Sequence, residues 1–324
     1  MAMKMVKIPG IEKSASALGM GTMIFAPHKK KLCFSMLDMF VSNGGTFVDT
    51  AEIYGDPEEY GHSETTIGMW LEERKCREAI ILSSKGLIPG TCKPIHPEGL
   101  EITPEHIHRA INRSLERLKT NYMDMWMFHR DDLSKPVGPL VEALNREIKA
   151  GTIKAFGGSN WTTKRLAEAN DYAKTHGLQG FSVSSPHFCL ATAKEPYWPD
   201  TVVTTKEDKS WFEKMHMPLV AWSSTGRGFF AKGDPNYKDD PNLVRVYYNE
   251  ANFEKLKRAE ILGKKKGLTR IEIAIAYAVN QKFPVISLAG PETDEQVKSC
   301  VKAVDTELSQ GEMDYLELKT NSFE

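Results

Sequence analysis

The sequence is poorest in the signals that would place it outside the ordinary globular class. Five cysteines (Cys33, Cys76, Cys92, Cys189, Cys300) lie scattered through 324 residues without a CxxC pair. A disulfide framework is therefore not expected, and a reducing cytoplasm is the simplest setting. Lys plus Arg number 42 against 43 Asp plus Glu, a formal charge of −1, so no basic excess draws the chain to nucleic acid or an anionic membrane. The N-terminal stretch carries lysines but no apolar run long enough for a signal peptide or a membrane span. Ser/Gly-rich tracts, charge blocks and low-complexity segments are missing, which leaves no linker, and one domain over residues 1–324 is expected. Apolar residues at 41% and charged residues at 26% supply an ordinary packed core and exclude disorder.

What is present is a repeating unit, a short apolar run followed by a stretch with helical spacing. Apolar runs read at residues 17–21, 46–48, 79–82, 122–128, 153–156, 180–183, 218–222 and 285–288. Helical stretches follow at 31–43, 64–74, 105–118, 140–150, 163–176, 210–215, 270–280 and 292–302. Thr103-Pro104-Glu105 offers an N-cap oxygen, a proline at the first helical position and an acidic first turn. Gly151 and Gly177 follow basic last turns and suit left-handed C-terminal positions. Short apolar strands alternating with helices mean a parallel sheet buried on both faces. Eight such units predict an α/β fold of the closed (β/α)8, TIM-barrel type. An open doubly wound sheet is disfavoured because Gly19-Met20-Gly21-Thr22-Met23 lacks the third glycine of a dinucleotide fingerprint. Long connections at 189–209 and 225–252 follow strands six and seven and carry Tyr197, Trp198, Phe229, Phe230, Tyr237, Tyr247 and Tyr248. On a barrel both rise over the C-terminal mouth.

Barrel chemistry sits at the strand C-termini. There the chain offers Asp49 after strand two, Tyr54 in the same loop, Lys85 after strand three and His129 after strand four. A phenol with a pKa of about 10 is a reluctant acid near neutrality. A lysine ammonium beside it favours the phenolate and is expected to lower that pKa. Asp49 would keep Lys85 charged and aimed, and a neutral His129 would donate to a substrate oxygen. Together the four suit protonation of a carbonyl oxygen as hydride reaches its carbon.

These residues sit in segments that resemble a known family. Gly45-Thr46-Phe47-Val48-Asp49-Thr50-Ala51-Glu52-Ile53-Tyr54-Gly55, with Ser63-Glu64 and Gly68 beyond it, resembles the signature of the aldo/keto reductases. Ser83-Ser84-Lys85 is similar to that family's lysine strand, and Asp124-Met125-Trp126-Met127-Phe128-His129 to its histidine strand. Gly157-Gly158-Ser159-Asn160-Trp161 is similar to its nicotinamide-holding segment, and the likeness runs in family order from about Ala17 to Val304. The resemblance implies a (β/α)8 barrel, an NAD(P)(H) cofactor and reversible reduction of aldehydes or ketones, with Tyr54 as proton donor and Lys85, Asp49 and His129 in support.

The resemblance also implies cofactor contacts. Ser159 and Asn160 would hold the nicotinamide carboxamide, with Ser184 standing where the family has a glutamine. Trp222 would stack on the nicotinamide ring. Ser223, Ser224, Gly226, Arg227 and Gly228 would wrap the pyrophosphate, Arg227 as its cation, and Gly21, Thr22 and Met23 would approach from strand one. Gly290, Glu292 and Gln296 would meet the adenosine ribose. The nearest cation there is Lys298, and a carboxylate suits a 2′-hydroxyl better than a 2′-phosphate, so NAD is expected to serve at least as well as NADP. Trp161 and His187 are expected beside Tyr54 and His129 in the substrate pocket, for a sugar, an aromatic or another carbonyl compound. Two alternatives stand beside this reading. One is a regulatory subunit of the same fold that binds the dinucleotide without turnover. The other is a metal-dependent, sugar-acting barrel using His62, His96, His129 or His187, for which no HExxH spacing is present.

Overall fold

The computed structural model describes residues 3–56, 59–90 and 101–323, so Cys92 and His96 lie outside the described residues. Eight strands close a parallel barrel: β1 (Leu18–Gly21), β2 (Phe47–Asp49), β3 (Ile81–Gly86), β4 (Met123–Phe128), β5 (Ile153–Ser159), β6 (Val183–Ser185), β7 (Leu219–Ala221) and β8 (Val285–Ala289). Each pairs with its neighbours in sequence, and β8 pairs back onto β1 with Ser287 opposite Leu18. Every residue of β3 and β4 is buried, as a sheet covered by helices outside and side chains inside requires.

The helical layer is α1 (Lys30–Ser42), α2 (His62–Arg74), α3 (Pro104–Leu118), α4 (Val137–Ala150), α5 (Thr163–Thr175), α6 (Lys206–Met215), α7 (Glu250–Lys266), α8 (Arg270–Val279), α9 (Asp294–Val304) and α10 (Gln310–Leu316). Side-chain oxygens fix where several begin. Thr103 accepts from the His106 amide at α3, and Thr205 with Asp208, Thr269 with Glu272 and Ser309 with Glu312 form reciprocal capping boxes. Gly151 lies at φ 76° and Gly177 at φ 65°, the left-handed stops that their positions call for. Gly68 lets α2 lie against α3, because a Cβ there would sit 2.2 Å from the Arg117 carbonyl oxygen. A hairpin of Met5–Val6 with Ala15–Ser16 lies at the N-terminal end of the barrel, where Ser16 Oγ accepts from the Thr46 amide.

Strand three runs Ile81–Gly86 rather than 79–82 and α10 is unassigned in the sequence reading, and three further features depart from it. Residues 253–269, unassigned there, belong mostly to α7, a 17-residue helix capped by Asn249 and ended by Gly267 at φ 67°. Its apolar stripe is narrow (Leu256, Ala259 and Leu262 buried), so its periodicity is weak in a lysine- and glutamate-rich stretch. The connection after β7 is not bare loop, since Phe229–Lys232 and Pro241–Tyr247 are short helices. Strand six lies at Val183–Ser185 rather than 180–183. The Asn170 carboxamide takes both the amide and the carbonyl of Phe181 and so removes that residue from the ladder.

Candidate active site

The C-terminal strand ends bring the candidate residues to one end of the barrel. Asp49 closes β2, Lys85 is the penultimate residue of β3, His129 follows β4 and Ser159 closes β5. Lys85 Nζ is 2.6 Å from Asp49 Oδ2 and donates to the Thr50 carbonyl at 2.7 Å, while Ser83 Oγ donates to Asp49 Oδ1 at 3.2 Å. The same ammonium lies 5.0 Å from the Tyr54 ring centroid and within hydrogen-bonding reach of its hydroxyl. His129 meets Tyr54 edge to face, with centroids 5.8 Å apart, and its buried Nδ1 has no partner among the described residues.

Burial governs the protonation states. It pushes the Asp49 carboxyl up against the pull of Lys85. It also opposes the Lys85 charge, yet Asp49 and Tyr54 hold that ammonium above the ordinary lysine value. His129 falls well below the imidazole range, first through burial and then through Arg130 and Lys85, and is neutral at neutral pH. The Tyr54 phenol departs from expectation. Burial, helped by Asp49, raises its pKa further than Lys85 and Arg130 lower it, because removing a phenolate from water costs more than the nearby cations return. Tyr54 is therefore a protonated phenol at neutral pH, the form a proton donor needs.

The structure gives roles to residues of the quoted signature that had none. Glu52, 2% exposed, places Oε1 2.6 Å from Arg113, and Glu64 Oε2 accepts from Arg117 Nε at 2.7 Å while its Oε1 accepts from Ser84 at 2.5 Å. Two carboxylates and two guanidinium groups thus join the Tyr54 loop, β3, α2 and α3. The signal in sequence was Arg113 and Arg117, one turn apart on the flank of the buried stripe of α3.

The cofactor candidates divide. Thr22 is fully buried and spends its hydroxyl on the Asp49 carbonyl and on Ser63, which also reaches Thr50. Gly21 passes close to β8, where a Cβ would lie 3.2 Å from the Ala289 carbonyl, and Met23 is 37% exposed. Ser159 Oγ donates to the Ser185 carbonyl. Asn160, at φ 60°, donates to the His129 carbonyl and accepts from the Val202 amide. Ser223, Gly226, Arg227 and Gly228 all have positive φ, and Ser224 Oγ donates to the Ala221 carbonyl. Turns rich in such residues are the kind whose amides cradle anions. Gln296 accepts from the Glu292 amide beside Gly290, at the acidic start of α9.

Two buried polar atoms without partners bear on whether a dinucleotide fits. Ser184 Oγ and Trp222 Nε1 have no hydrogen bond among the described residues, and Trp222 is half-buried, its ring packed by His187 and Trp198. Unmet polar atoms, a left-handed turn and a half-covered indole at one mouth fit a flat, polar, anionic ligand.

The pocket candidates separate as well. His187 lies 1% exposed with Nε2 2.9 Å from the Tyr247 hydroxyl, its ring 4.8 Å from Trp222, and burial followed by Arg227 lowers its pKa to about 4. Trp161 is 1% exposed and packed on Phe128 and Phe181 at centroid distances of 5.3 and 4.7 Å, which leaves it no open face. Arg227 directs its guanidinium onto the rings of Tyr197 and Trp198. Among the described residues no three His, Cys, Asp or Glu side chains gather as metal ligands. The one HxH spacing, His106 and His108, lies on α3, where His106 bonds the Glu101 carbonyl and His108 bonds Glu147.

Comparison with known proteins accords with this geometry. Norsolorinic acid reductase B of Dothistroma septosporum is 26% identical over 95% of this chain and 79% of its own length. Protein tas of Escherichia coli is 26% identical over 94% of each chain, and an aryl-alcohol dehydrogenase of Pestalotiopsis microspora is 26% identical over 89% of this chain and 72% of its own. Among solved structures, an aldo-keto reductase from Klebsiella pneumoniae in complex with NADPH superposes with a TM-score of 0.72 at 21% identity, covering 98% of this chain and 95% of that one. The model of the aldo/keto reductase family matches residues 17–320, a span that takes in all eight barrel strands and every residue of the site, and the chain belongs to that family.

Proposed function

We propose that this protein is an oxidoreductase that interconverts an aldehyde or ketone and its alcohol with a nicotinamide dinucleotide, Tyr54 being the proton donor to the carbonyl oxygen. The observation that carries the reading is the buried Lys85–Asp49 pair set against a protonated Tyr54 and a neutral His129. The Lys85 ammonium stabilises negative charge on the Tyr54 oxygen as its proton leaves. Asp49 keeps the ammonium charged and aimed, and Ser83 and Thr50 hold both in place. His129, which cannot be protonated near neutrality, offers a neutral N–H to orient the substrate oxygen. The dinucleotide, when bound, supplies or accepts the hydride. Ser159, Asn160 and Ser184 suit its carboxamide, Trp222 its ring, Ser223, Ser224, Gly226 and Gly228 its phosphates, and Gly21, Met23, Gly290, Glu292 and Gln296 the remainder.

Glu292 and the acidic first turn of α9 (Asp294, Glu295) support use of NAD at least as readily as NADP, since a ribose 2′-phosphate there would meet like charge. The NADPH complex of the Klebsiella relative concerns that protein. For substrate, the name of the Pestalotiopsis relative carries an aryl alcohol, which accords with the rings of Tyr197, Trp198 and Trp222 near the mouth. The test is aldehyde reduction followed at 340 nm with NADH and with NADPH. Turnover with both, with kcat/KM for NADH equal or higher, is expected. In Tyr54→Phe turnover should fall by at least about 100-fold, the low end of acid–base catalysis, while dinucleotide binding persists. A Tyr54→Phe protein as active as the original would sink the proton-donor role, and a strong NADPH bias the cofactor preference.

A further inference from the structure

No carboxylate among the described residues answers the charge of Arg227. Among the described residues it has no ion pair or hydrogen bond; its contacts are the ring faces of Trp198 at 4.6 Å and Tyr197 at 4.9 Å. The placement is imposed by the backbone. Arg227 itself sits at φ 54° between Gly226 at φ 63° and Gly228 at φ 94°, a conformation that a long side chain adopts only when the surrounding turn demands it. Tyr197 and Trp198 come from the connection after β6, and Trp198 reaches on to Trp222 with centroids 5.6 Å apart. The guanidinium is thus tied to a wall of rings, and its charge is felt by the buried His187 and Tyr247. Arg130, from the connection after β4, acts in the same sense on Tyr54 and His129. Positive potential therefore reaches the mouth from two sides.

A guanidinium lying on aromatic faces keeps its in-plane N–H edge for another partner, and that edge matches a carboxylate in a two-point hydrogen bond. Trp198 is 36% exposed, so part of the indole remains open beside that edge. We propose that Arg227, Trp198 and Tyr197 form a substrate subsite for an anionic aromatic compound, a carbonyl or alcohol bearing a carboxylate on its ring. The carboxylate meets the edge of Arg227, and the aromatic ring lies against the open part of Trp198. The assignment rests on the oxidoreductase reading of the Tyr54 site, and it moves Arg227 from the cofactor's pyrophosphate to the substrate.

The test compares the original protein with Arg227→Asn, which keeps a residue type that accepts positive φ, and with Trp198→Leu, each checked for an unchanged circular dichroism spectrum. Benzoate, benzyl alcohol and NADH are titrated by calorimetry. Benzoate is expected to bind more tightly than benzyl alcohol in the original protein. Arg227→Asn should weaken benzoate by roughly 10- to 100-fold, the range for a hydrogen bond to a charged group, and erase the difference between the two ligands. Trp198→Leu should weaken both together. In turnover, the ratio of kcat/KM for 4-carboxybenzaldehyde to that for benzaldehyde should fall in Arg227→Asn by the same factor. Equal binding of benzoate and benzyl alcohol in the original protein overturns the proposal. So does an Arg227→Asn protein that loses NADH affinity while keeping its benzoate preference, which would return Arg227 to the pyrophosphate. Benzoate binding is read without turnover, so a protein that binds it through Arg227 yet reduces no aldehyde would refute the oxidoreductase reading alone.

Discussion

At the scale of single residues, the site depends on which of two opposing effects wins at Tyr54. Burial raises the phenol's pKa and Lys85 lowers it, and burial is the larger. In the proposed role of Tyr54, a donor with a raised pKa works at full strength through neutral pH and fails only as pH climbs through that pKa. The reverse reaction needs the phenolate and gains over the same interval. Lys85→Met removes the largest lowering influence, so the Tyr54 pKa should rise further. Alcohol oxidation at pH 8–9 is then expected to fall more than carbonyl reduction does, with the alkaline limb of reduction moving to higher pH. The two rates measured against pH in both proteins check this; equal losses at every pH would show that Lys85 does not act through the phenol. Asp49, Lys85 and His129 were legible as neighbours because a strand's end places its side chain wherever the strand goes, and Tyr54 follows on the loop after β2. The sign of the Tyr54 shift was not legible, because it depends on how much water the fold excludes, and spacing carries no measure of that.

At the scale of elements, the Tyr54 loop is held from behind. Glu52 donates its amide to the Lys85 carbonyl and presents its carboxylate to Arg113, and Glu64 joins Ser84 of β3 to Arg117. Ser84 and Lys85 are neighbours on one strand, so the ion pairs on α3 and the ammonium beside Tyr54 share a backbone. Glu52→Gln keeps the volume and removes the charge, leaving Arg113 without its carboxylate while Glu64 still answers Arg117. Breaking a buried pair costs about 3–5 kcal/mol, less here because Arg113 is 34% exposed. A fall in melting temperature and a roughly tenfold loss in kcat are expected, the latter from a misplaced phenol. Adding Arg113→Met should restore much of the melting temperature but not kcat. Recovery of both would reduce the network to a stabilising role. Glu52 and Glu64 were visible as residues and invisible as a network, since their arginine partners lie 61 and 53 positions away on another helix. Most barrel strands were legible for the opposite reason: burial on both faces writes a local apolar run, and β6, with two serines among its three residues, was the one displaced from its run. Helix α7 was not, because its exposed face is long and charged and its buried stripe is only a few residues wide.

At the scale of the whole molecule, the chain's last helix is fastened back onto the barrel's outer layer at one carboxylate. Glu317, just after α10, accepts from the Tyr277 hydroxyl of α8 at 2.7 Å, pairs with Lys209 of α6, and lies 2.6 Å from Lys319. Burial opposes its charge, but hydrogen bonds from Lys209, Lys319 and Tyr277 prevail and hold its pKa at about 2. The unfolded carboxyl titrates near its ordinary value of about 4.3, so the folded state binds this proton less readily. Stability from Glu317 is therefore complete above about pH 5 and disappears as pH falls toward 2. A shift of this size corresponds to roughly 3 kcal/mol, several degrees of melting temperature for a chain this long. Glu317→Gln should lower the melting temperature at pH 7, with the gap to the original protein narrowing below pH 4 and closing near pH 2. A gap of constant size across that range would mean that the side chain stabilises by packing rather than by charge. No short-range pattern could have announced this contact, because its distant partners come from two helices, 40 and 108 positions away along the chain, and only the closure of the barrel brings them together.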